Sequence, residues 1–472
     1  MKIRILSGLL AALALTTTTI SCGDDDNFEY TPSNDCIITA ATMGSLVRAM
    51  HTTDSLGKDS VFYVSVTGAF YPMSIDQERK LIYNVDSLPL GTNINKVTFT
   101  ALNSLGTLSI KSLYTGNDTI FSMADSTDFS VPRTFTVHST NGVSKVNYLM
   151  TINVHKQDGN TMNWNKVAAA TNEIKDLKDT RSFALNGNLY VFGQKDGVSL
   201  ILKTPANGFA NGTNTQWTSN NTQPAIRPLS VVRFNNAFFA VFCVNSKECV
   251  VDAENRIVTS TDAINWTATG SEFTANSLVV AGSKHLVALK DGKFYSSTDA
   301  INWTADKIDM PELMPESFAS GVSIYSKLDK TFESLVVVGV NNGKNVVWKR
   351  EIDLTGAETY PWLYIPETHA SKYNIPNIQQ TTLNMYDGVT LMSGLTTDNQ
   401  LAPLYMSRDN GRTWKTDLIT MPEGKAQDAL TVTVDEDNFI WMFCGNSGEV
   451  WRGRLNRLGW EDTQNSFEKS IH

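Results

Sequence analysis

Three aspartates stand in a repeated turn and are the first residues of this chain that could do chemistry. The segment Ser-Thr-Asp-Ala-Ile-Asn-Trp-Thr occurs twice, with Asp262 and Asp299 at its third position, and a related turn holds Asp409. Such carboxylates could bind a metal ion or act as general acids, but no supporting residues accompany them. Asp and Ser side chains in turns commonly bond nearby backbone groups. We therefore interpret the three aspartates as turn-stabilising residues.

The other residues with catalytic potential are scattered along the chain. The 6 histidines lack the spacing of metal ligands, and the sequence contains neither a Gly-x-Ser-x-Gly elbow nor a phosphate-binding loop. We therefore predict no catalytic, cofactor-binding or metal-binding residue. A net charge of −9 without a basic cluster argues against nucleic acid as a partner.

Cys22 is the residue for which the sequence predicts a covalent modification. Residues 1–21 have the pattern of a secretion signal, and its apolar stretch Ile5–Leu15 is shorter than the roughly 20 residues that span a bilayer. Ser21 precedes Cys22, as a small residue does where a bacterial lipoprotein receives its diacylglycerol. An ordinary signal peptide is the alternative. Residues 22–35 are polar and predict a flexible tether, so we expect the lipid to hold the chain to a membrane.

The other cysteines leave two interpretations open. Cys243 and Cys249 bracket a short polar loop, and an exported protein allows a disulfide across it. Cys243 and Cys444 also lie in apolar runs, where a free cysteine would pack as a small core residue.

Residues 36–156 predict a β-sandwich of immunoglobulin-like type. Short alternating segments follow one another there, and turn residues such as Asn141-Gly142 separate them. About seven strands in such a length are typical of that architecture.

Residues 157–461 predict a β-propeller, because one strand pattern repeats along them. Six stretches resemble the paired inner strands of blades, each with a tight turn such as Asn186-Gly187. A tryptophan follows each of the first five stretches, at Trp217, Trp266, Trp303, Trp362 and Trp414. We predict six blades, with seven as the alternative.

The sixth tryptophan position has two candidates. Trp460 follows the last stretch directly, whereas Trp164 precedes the first one. If Trp164 belongs to the last blade, an N-terminal strand closes the ring and removes the exposed sheet edges. Glu173–Arg181 is a short helix or an irregular link, and residues 462–472 form a C-terminal tail.

The Asp409 turn fits the pattern Ser-x-Asp-x-Gly-x-Thr-Trp and so resembles the Asp-box turn of sialidase-like β-propellers. The chain as a whole resembles a family of Bacteroidota surface lipoproteins, described as domains of unknown function, that join an Ig-like module to an Asp-box propeller. The resemblance rests on Cys22 with the aspartates after it, on Phe135–Gly142 and on Trp451–Gly459. It implies a lipid-anchored, surface-exposed position on the outer membrane, and it implies no reaction.

Sialidases supply a specific test for catalysis. Such enzymes use three arginines on the substrate carboxylate, a Tyr–Glu pair and an Asp acid/base. Ile226-Arg227-Pro228 is the closest match to their first arginine run, but it lacks the intervening residue. The further candidates, none in a recognisable motif, are Arg350, Arg408, Tyr360, Tyr364 and Tyr386. We therefore expect no sialidase activity.

The sequence thus favours a non-catalytic, monomeric surface lipoprotein. Its propeller is expected to bind an extracellular glycan or protein through the loops at its axial mouth. The alternative is a sialidase-like glycoside hydrolase, or a lyase, with an unrecognised site at the same mouth. A pair of carboxylates there would favour the hydrolase.

Overall fold

The structure is a computed structural model of the chain. It describes residues 32–168, 171–209, 217–242, 256–316, 319–326, 329–368, 371–416, 419–422 and 429–460. These residues divide into two compact units, with His155 at the end of the first and Lys156 at the start of the second. The regular elements of the described residues are β-strands and short 3-10 helices. Among them, no helix has the length and apolar character needed to cross a membrane.

The first unit contains ten strands in its described part. They are β1 (Ile37–Met43), β2 (Ser45–Thr53), β3 (Asp59–Thr67), β4 (Met73–Asp76), β5 (Leu81–Asn84), β6 (Phe99–Leu105), β7 (Thr107–Lys111), β8 (Asp118–Ile120), β9 (Arg133–His138) and β10 (Lys145–Thr151). One sheet has the order β4-β5-β10-β9-β7-β8, and β1-β6 and β2-β3 form two smaller sheets.

The first unit is held together by a core of aromatic side chains. Phe135 is fully buried and contacts Phe121 edge-on, with their ring centroids 5.3 Å apart. Phe99 packs on Phe129 at 5.9 Å. The predicted Asn141-Gly142 turn lies between β9 and β10, which pair in antiparallel register.

The second unit contains six sheets in its described part, five with four strands and one with three. The strand order within each is β11-β33-β32-β31, β12-β13-β14-β15, β16-β17-β18-β19, β20-β21-β22-β23, β24-β25-β26-β27 and β28-β29-β30. The first three of these sheets use β11 (Met162–Ala168), β12 (Lys178–Leu185), β13 (Asn188–Lys195), β14 (Val198–Pro205), β15 (Thr218–Asn221), β16 (Val232–Phe234), β17 (Ala237–Val241), β18 (Ile257–Ser260) and β19 (Thr267–Ala268).

The remaining strands continue the same up-and-down pattern. They are β20 (Ser277–Ala281), β21 (Leu286–Lys290), β22 (Lys293–Ser297), β23 (Thr304–Ala305), β24 (Ala319–Tyr325), β25 (Phe332–Asn341), β26 (Lys344–Asp353), β27 (Leu363–Ile365), β28 (Gln379–Tyr386), β29 (Val389–Leu395), β30 (Tyr405–Ser407), β31 (Leu430–Val434), β32 (Ile440–Cys444) and β33 (Glu449–Leu455). The 3-10 helices are Gly68–Phe70, Ala206–Phe209, Pro228–Ser230, Pro311–Leu313 and Asn456–Leu458.

The innermost strand of each sheet takes part in a closed ring of β12, β16, β20, β24, β28 and β31. β12 contacts β31, and the ring continues through β28, β24 and β20 to β16. The 3-10 helix Pro228–Ser230 precedes β16 and contacts β12, which completes the circle. These innermost strands therefore surround a common axis. The residues of Glu173–Arg181 before Lys178 form turns, so the irregular link is the observed alternative.

Pairing between the two ends of the second unit closes the ring. β11 pairs antiparallel with β33, with Met162 opposite Leu455 and Trp164 opposite Gly453. A Cβ on Gly453 would lie 2.3 Å from the Trp164 ring, so the absence of a side chain there lets the ring lie on the strand. Trp164 therefore takes the position for which the sequence left two candidates.

Each sheet packs against its neighbour through an outer tryptophan. Trp266 contacts Phe192 of the preceding sheet at 6.2 Å, and Trp362 contacts Phe294 at 4.5 Å. The six residues with this role are Trp164, Trp217, Trp266, Trp303, Trp362 and Trp414. An aromatic ring at one position per sheet fills the wedge between neighbouring sheets, which widens away from the axis.

The two identical turns differ in the burial of their tryptophans, and this difference yields a prediction. Trp266 is only 4% exposed, whereas Trp303 is half-buried and stacks on Phe273 at 4.9 Å. Trp266→Ala should lower the free energy of unfolding by about 3–5 kcal/mol, because it removes a buried aromatic ring. Trp303→Ala, in the same local sequence, should cost clearly less. Chemical denaturation of both variants measures this, and equal losses would contradict the packing described.

Candidate functional site

The repeated aspartates hold their own turns together. Asp262 Oδ1 accepts hydrogen bonds from the backbone N–H groups of Ile264 and Asn265 at 2.9 and 2.8 Å, and from Ser260 Oγ at 2.9 Å. Asp299 makes the same set of bonds within its own copy of the turn. Burial opposes the ionised form of Asp262, but the bonds from Asn265, Ile264 and Ser260 outweigh it and lower the pKa to about 2. A carboxylate so fully bonded is a poor proton donor or metal ligand.

The backbone of these turns also needs a specific conformation. Ala263, Ala300 and Gly411 occupy equivalent positions and have φ of 68°, 60° and 91°. Their carbonyl oxygens accept the indole N–H of the following tryptophan, at 3.1 Å for Trp266. The turn therefore also positions the tryptophan.

Strand register places these turns and the axial mouth at opposite ends of the ring. In the sheet β28-β29-β30, Gln379 and Thr382 lie near the start of β28. Met385, towards its end, pairs with Thr390, and Thr390 pairs with Ser407, the first residue of the Asp409 turn. Because the innermost strands lie side by side around the axis, the ends at which they begin define one mouth of the ring.

A cavity of about 160 Å³ lies at this mouth. Its lining comes from the start of β12, the start of β28 and the 3-10 helix before β16: Asp179, Thr180, Arg181, Leu229, Gln380, Thr381 and Thr382. We call it the mouth cavity. It is the site that the sequence located only as the axial loops, without naming a residue.

Two β-bulges shape the mouth cavity. Asp179 and Gln380 have φ of 50°, and the pairing register shifts beside both of them. Successive residues of a regular strand face opposite sides of the sheet, and a bulge suspends that rule. Thr180 and Arg181 are neighbours in sequence, yet both line the cavity.

Arg181 is the most unusual residue of the mouth cavity. It is 6% exposed, and its Nη1 is buried without a hydrogen-bond partner in the described chain. The hydroxyl of Thr180 beside it is also buried without a partner. Burial lowers the pKa of Arg181 to about 10, and no carboxylate among the described residues counters that effect. The cavity thus holds a cation that the described protein does not neutralise.

Asp179 supplies a carboxylate to the mouth cavity. It lies at the rim, where partial desolvation raises its pKa and the charges of Arg227 and Lys178 act in the opposite direction. Glycoside hydrolysis by a retaining or inverting route uses two carboxyl groups. Among the described residues that line this cavity, Asp179 is the single carboxylate.

A second cavity of about 500 Å³ lies at the opposite end, beside the Asp299 turn. Arg350 Nη1 forms an ion pair with Asp306 at 2.8 Å, and both side chains are more than nine-tenths buried. Ser296 Oγ accepts a bond from Arg350 and donates one to Asp306, whose other contact is the Trp362 indole N–H at 2.9 Å. Arg350 is therefore neutralised within the fold.

The arginines considered for a sialidase site occupy different places. Arg227 donates to the carbonyl oxygen of Asn276 and lies near Asp179, whereas Arg350 lies in the second cavity. Arg408 is exposed in the Asp409 turn. These arginines do not form a triad on one substrate group.

The candidate tyrosines are also unsuited to a nucleophile. Tyr360 donates its hydroxyl hydrogen to Glu358, and this bond raises the tyrosine pKa. Tyr386 is 1% exposed, and burial raises its pKa to about 12. Burial also raises the pKa of Tyr364, which packs on Trp348.

The predicted lipid site, Cys22, lies outside the described residues. So do Cys243 and Cys249, for which the sequence left a disulfide open. Cys444 is buried and free, and burial raises the pKa of its thiol to about 12, as expected for a core residue. In the part of the chain that the structure describes, no group of His, Cys, Asp and Glu side chains has the arrangement of a metal site.

The chain matches two family descriptions. Residues 158–463 match the "DUF6242 beta propeller domain", and residues 41–152 match the "Domain of unknown function (DUF6242) N-terminal domain". The prediction of an all-β chain with a β-propeller is confirmed by this match. A search of curated proteins found no match.

Several solved structures are similar at low identity. A thermostable family-43 glycoside hydrolase is 9% identical, covers 63% of this chain and 95% of its own, and has a TM-score of 0.30. The Hadza microbial sialidase Hz136 is 9% identical, with 91% and 86% covered and a TM-score of 0.28. An α-L-arabinofuranosidase from Podospora anserina is 11% identical, with 62% and 97% covered and a TM-score of 0.28. Such low scores carry no argument about chemistry.

Arg181 and Arg350 provide a matched pair for a stability test, because each is 6% exposed. Arg350→Met should lower the free energy of unfolding by about 3–5 kcal/mol, since it leaves Asp306 buried without its partner. Arg181→Met removes a buried cation whose Nη1 has no partner among the described residues, and should raise the free energy of unfolding by about 1 kcal/mol or more. Denaturant titration measures whether each variant gains or loses free energy of unfolding. A large loss of this free energy in Arg181→Met would show that the charge of Arg181 is neutralised in the fold.

Proposed function

This chain belongs to the DUF6242 family. We propose that it is a ligand-binding surface lipoprotein rather than an enzyme. In this proposal the six sheets are six blades, and the first unit is an Ig-like spacer. The lipid on Cys22 and the tether 22–35 hold the protein, as a monomer, at the outer surface of a Bacteroidota outer membrane. The ligand is an extracellular glycan or protein that enters the mouth cavity.

The observation that carries this proposal is the chemistry of the mouth cavity. Among the described residues, it combines buried donors on Thr180 and Arg181 that have no hydrogen-bond partner with a single carboxylate, that of Asp179. Unsatisfied buried polar groups cost stability, and a binding site is a common reason for their retention. A hydrolase would need a second carboxylate near Asp179. The chemistry therefore supports binding over hydrolysis.

Blocking the mouth tests where the ligand binds. Leu229 lines the mouth cavity and is half-buried, so Leu229→Trp should fill the opening without disturbing a polar contact. Thr304→Trp places the same ring in the second cavity at the opposite end and serves as the control. On a glycan array and an extracellular-protein panel, Leu229→Trp should lose at least about ten-fold in affinity, while Thr304→Trp should bind as the native protein does. The reverse pattern would move the site to the second cavity.

The same preparations test the alternative of glycoside hydrolysis or lyase activity. If glycans that bind are also cleaved, and Asp179→Asn abolishes the cleavage, the protein is an enzyme and the binding proposal is wrong. Binding without turnover in the native protein supports the proposal.

The lipid anchor has a separate test. Cys22→Ala should release the protein from the membrane fraction, because the apolar run in residues 1–21 is too short to anchor it. Cell fractionation and surface protease digestion measure this. Membrane association that is unchanged in Cys22→Ala would show that the thiol is not the anchor.

A further inference from the structure

Resting on the proposed function, we propose that the ligand group entering the mouth cavity is an anion, a carboxylate, phosphate or sulfate group, and that Arg181 binds it. Arg181 lies in no catalytic or binding motif of the sequence, and the first arginine run of sialidases has its closest match elsewhere, at Ile226-Arg227-Pro228. The charge balance of the cavity points to Arg181.

The guanidinium of Arg181 has no counter-charge among the described residues. Arginine stays protonated at any physiological pH, so a buried guanidinium requires an anion or strong acceptors. Arg181 Nη1 has neither within the described chain. Asp179 lines the same cavity, but the charges that act on its carboxyl are those of Arg227 and Lys178. Arg350, with equal exposure, has Asp306 at 2.8 Å and Ser296 at 2.8 Å.

Two β-bulges place polar residues of β12 and β28 at the mouth cavity. Beside the bulge at Asp179, Thr180 and Arg181 line one cavity although they are consecutive residues. Thr381 and Thr382 line the same cavity beside the bulge at Gln380, and the Thr381 hydroxyl donates to the carbonyl oxygen of Ile378. A guanidinium and hydroxyl groups are the donors that oxyanions accept, and bonds of this kind to a charged acceptor are the stronger ones.

The volume of the mouth cavity limits what it can hold. The mouth cavity holds about 160 Å³, less than the roughly 300 Å³ at which pockets for whole drug-sized ligands begin. It therefore accommodates one charged group, while the rest of the ligand lies outside on the loops. Arg181 would then select ligands by the charge of a single substituent.

Small anions provide a direct test on the full chain. Sodium acetate, sodium phosphate and sodium sulfate are titrated into the native protein at constant ionic strength, with sodium chloride as the reference. At least one of the three should raise the melting temperature and shift the NMR signals of Thr180 and Arg181, because a ligand that binds the folded state stabilises it. Which of them does so distinguishes a carboxylate from a phosphate or sulfate ligand. No response to any of them would overturn the proposal.

Arg181 variants show whether the response belongs to this residue. Arg181→Met should weaken anion binding by about 10- to 100-fold, the range for hydrogen bonds to charged groups. Arg181→Lys keeps the charge without the planar fork and should recover part of the affinity. Arg350→Lys, in the second cavity, should leave anion binding unchanged. An undiminished response in a folded Arg181→Met protein would overturn the assignment.

The outcome also separates this inference from the proposed function. If Leu229→Trp abolishes binding of the extracellular ligand while Arg181→Met does not, the mouth is the binding site and the anionic group is wrong. If anions bind at Arg181 but Leu229→Trp leaves the extracellular ligand bound, the anion site is real and the ligand binds elsewhere.

Discussion

Pairing between β11 and β33 is the interaction on which the second unit depends. Without it, the sheet that ends the chain would lack an outer strand, and the ring would have two open ends. With it, β31 is held beside β12, where Ser182 Oγ and Thr431 Oγ1 are 2.9 Å apart across the closure. Arg181 directly precedes Ser182. The closure therefore fixes the strand that carries the buried guanidinium.

The remaining contacts between sheets follow from the geometry of a ring. Neighbouring sheets diverge away from the axis, so the outer wedge must be filled by large side chains while the inner strands touch directly. Tryptophans such as Trp266 and Trp362 fill the wedge, and Gly321 allows β24 to approach Val280 of β20 near the axis. The aspartate turns belong to this outer packing. Aspartate is a common catalytic residue, but the hydrogen bonds of these aspartates stabilise the turn that holds the tryptophan in place.

The sequence was informative where a residue's role is local. The six inner strand pairs and the tryptophan positions could be predicted, because alternation, Asn-Gly turns and aromatic spacing act over a few residues. The sequence could not decide which of Trp164 and Trp460 belongs to the last sheet, because strand pairing between residues almost 300 positions apart leaves no local signal. Arg350 illustrates a different limit. Its type suggested substrate binding, and only the fold reveals that Asp306 neutralises it.

Arg181 escaped the sequence analysis for a physical reason, and that reason bears on its role. From the sequence, Arg181 is the last residue of Glu173–Arg181, a short helix or an irregular link, whereas the structure places it in β12 (Lys178–Leu185). The bulge at Asp179 is what brings it inside, and a bulge is not visible in residue types. A cation that is only 6% exposed and whose Nη1 has no partner in the described part of the chain lowers the stability of the fold, so packing does not explain it. The proposed anion would explain it, because neutralising Arg181 converts the lost stability into binding affinity.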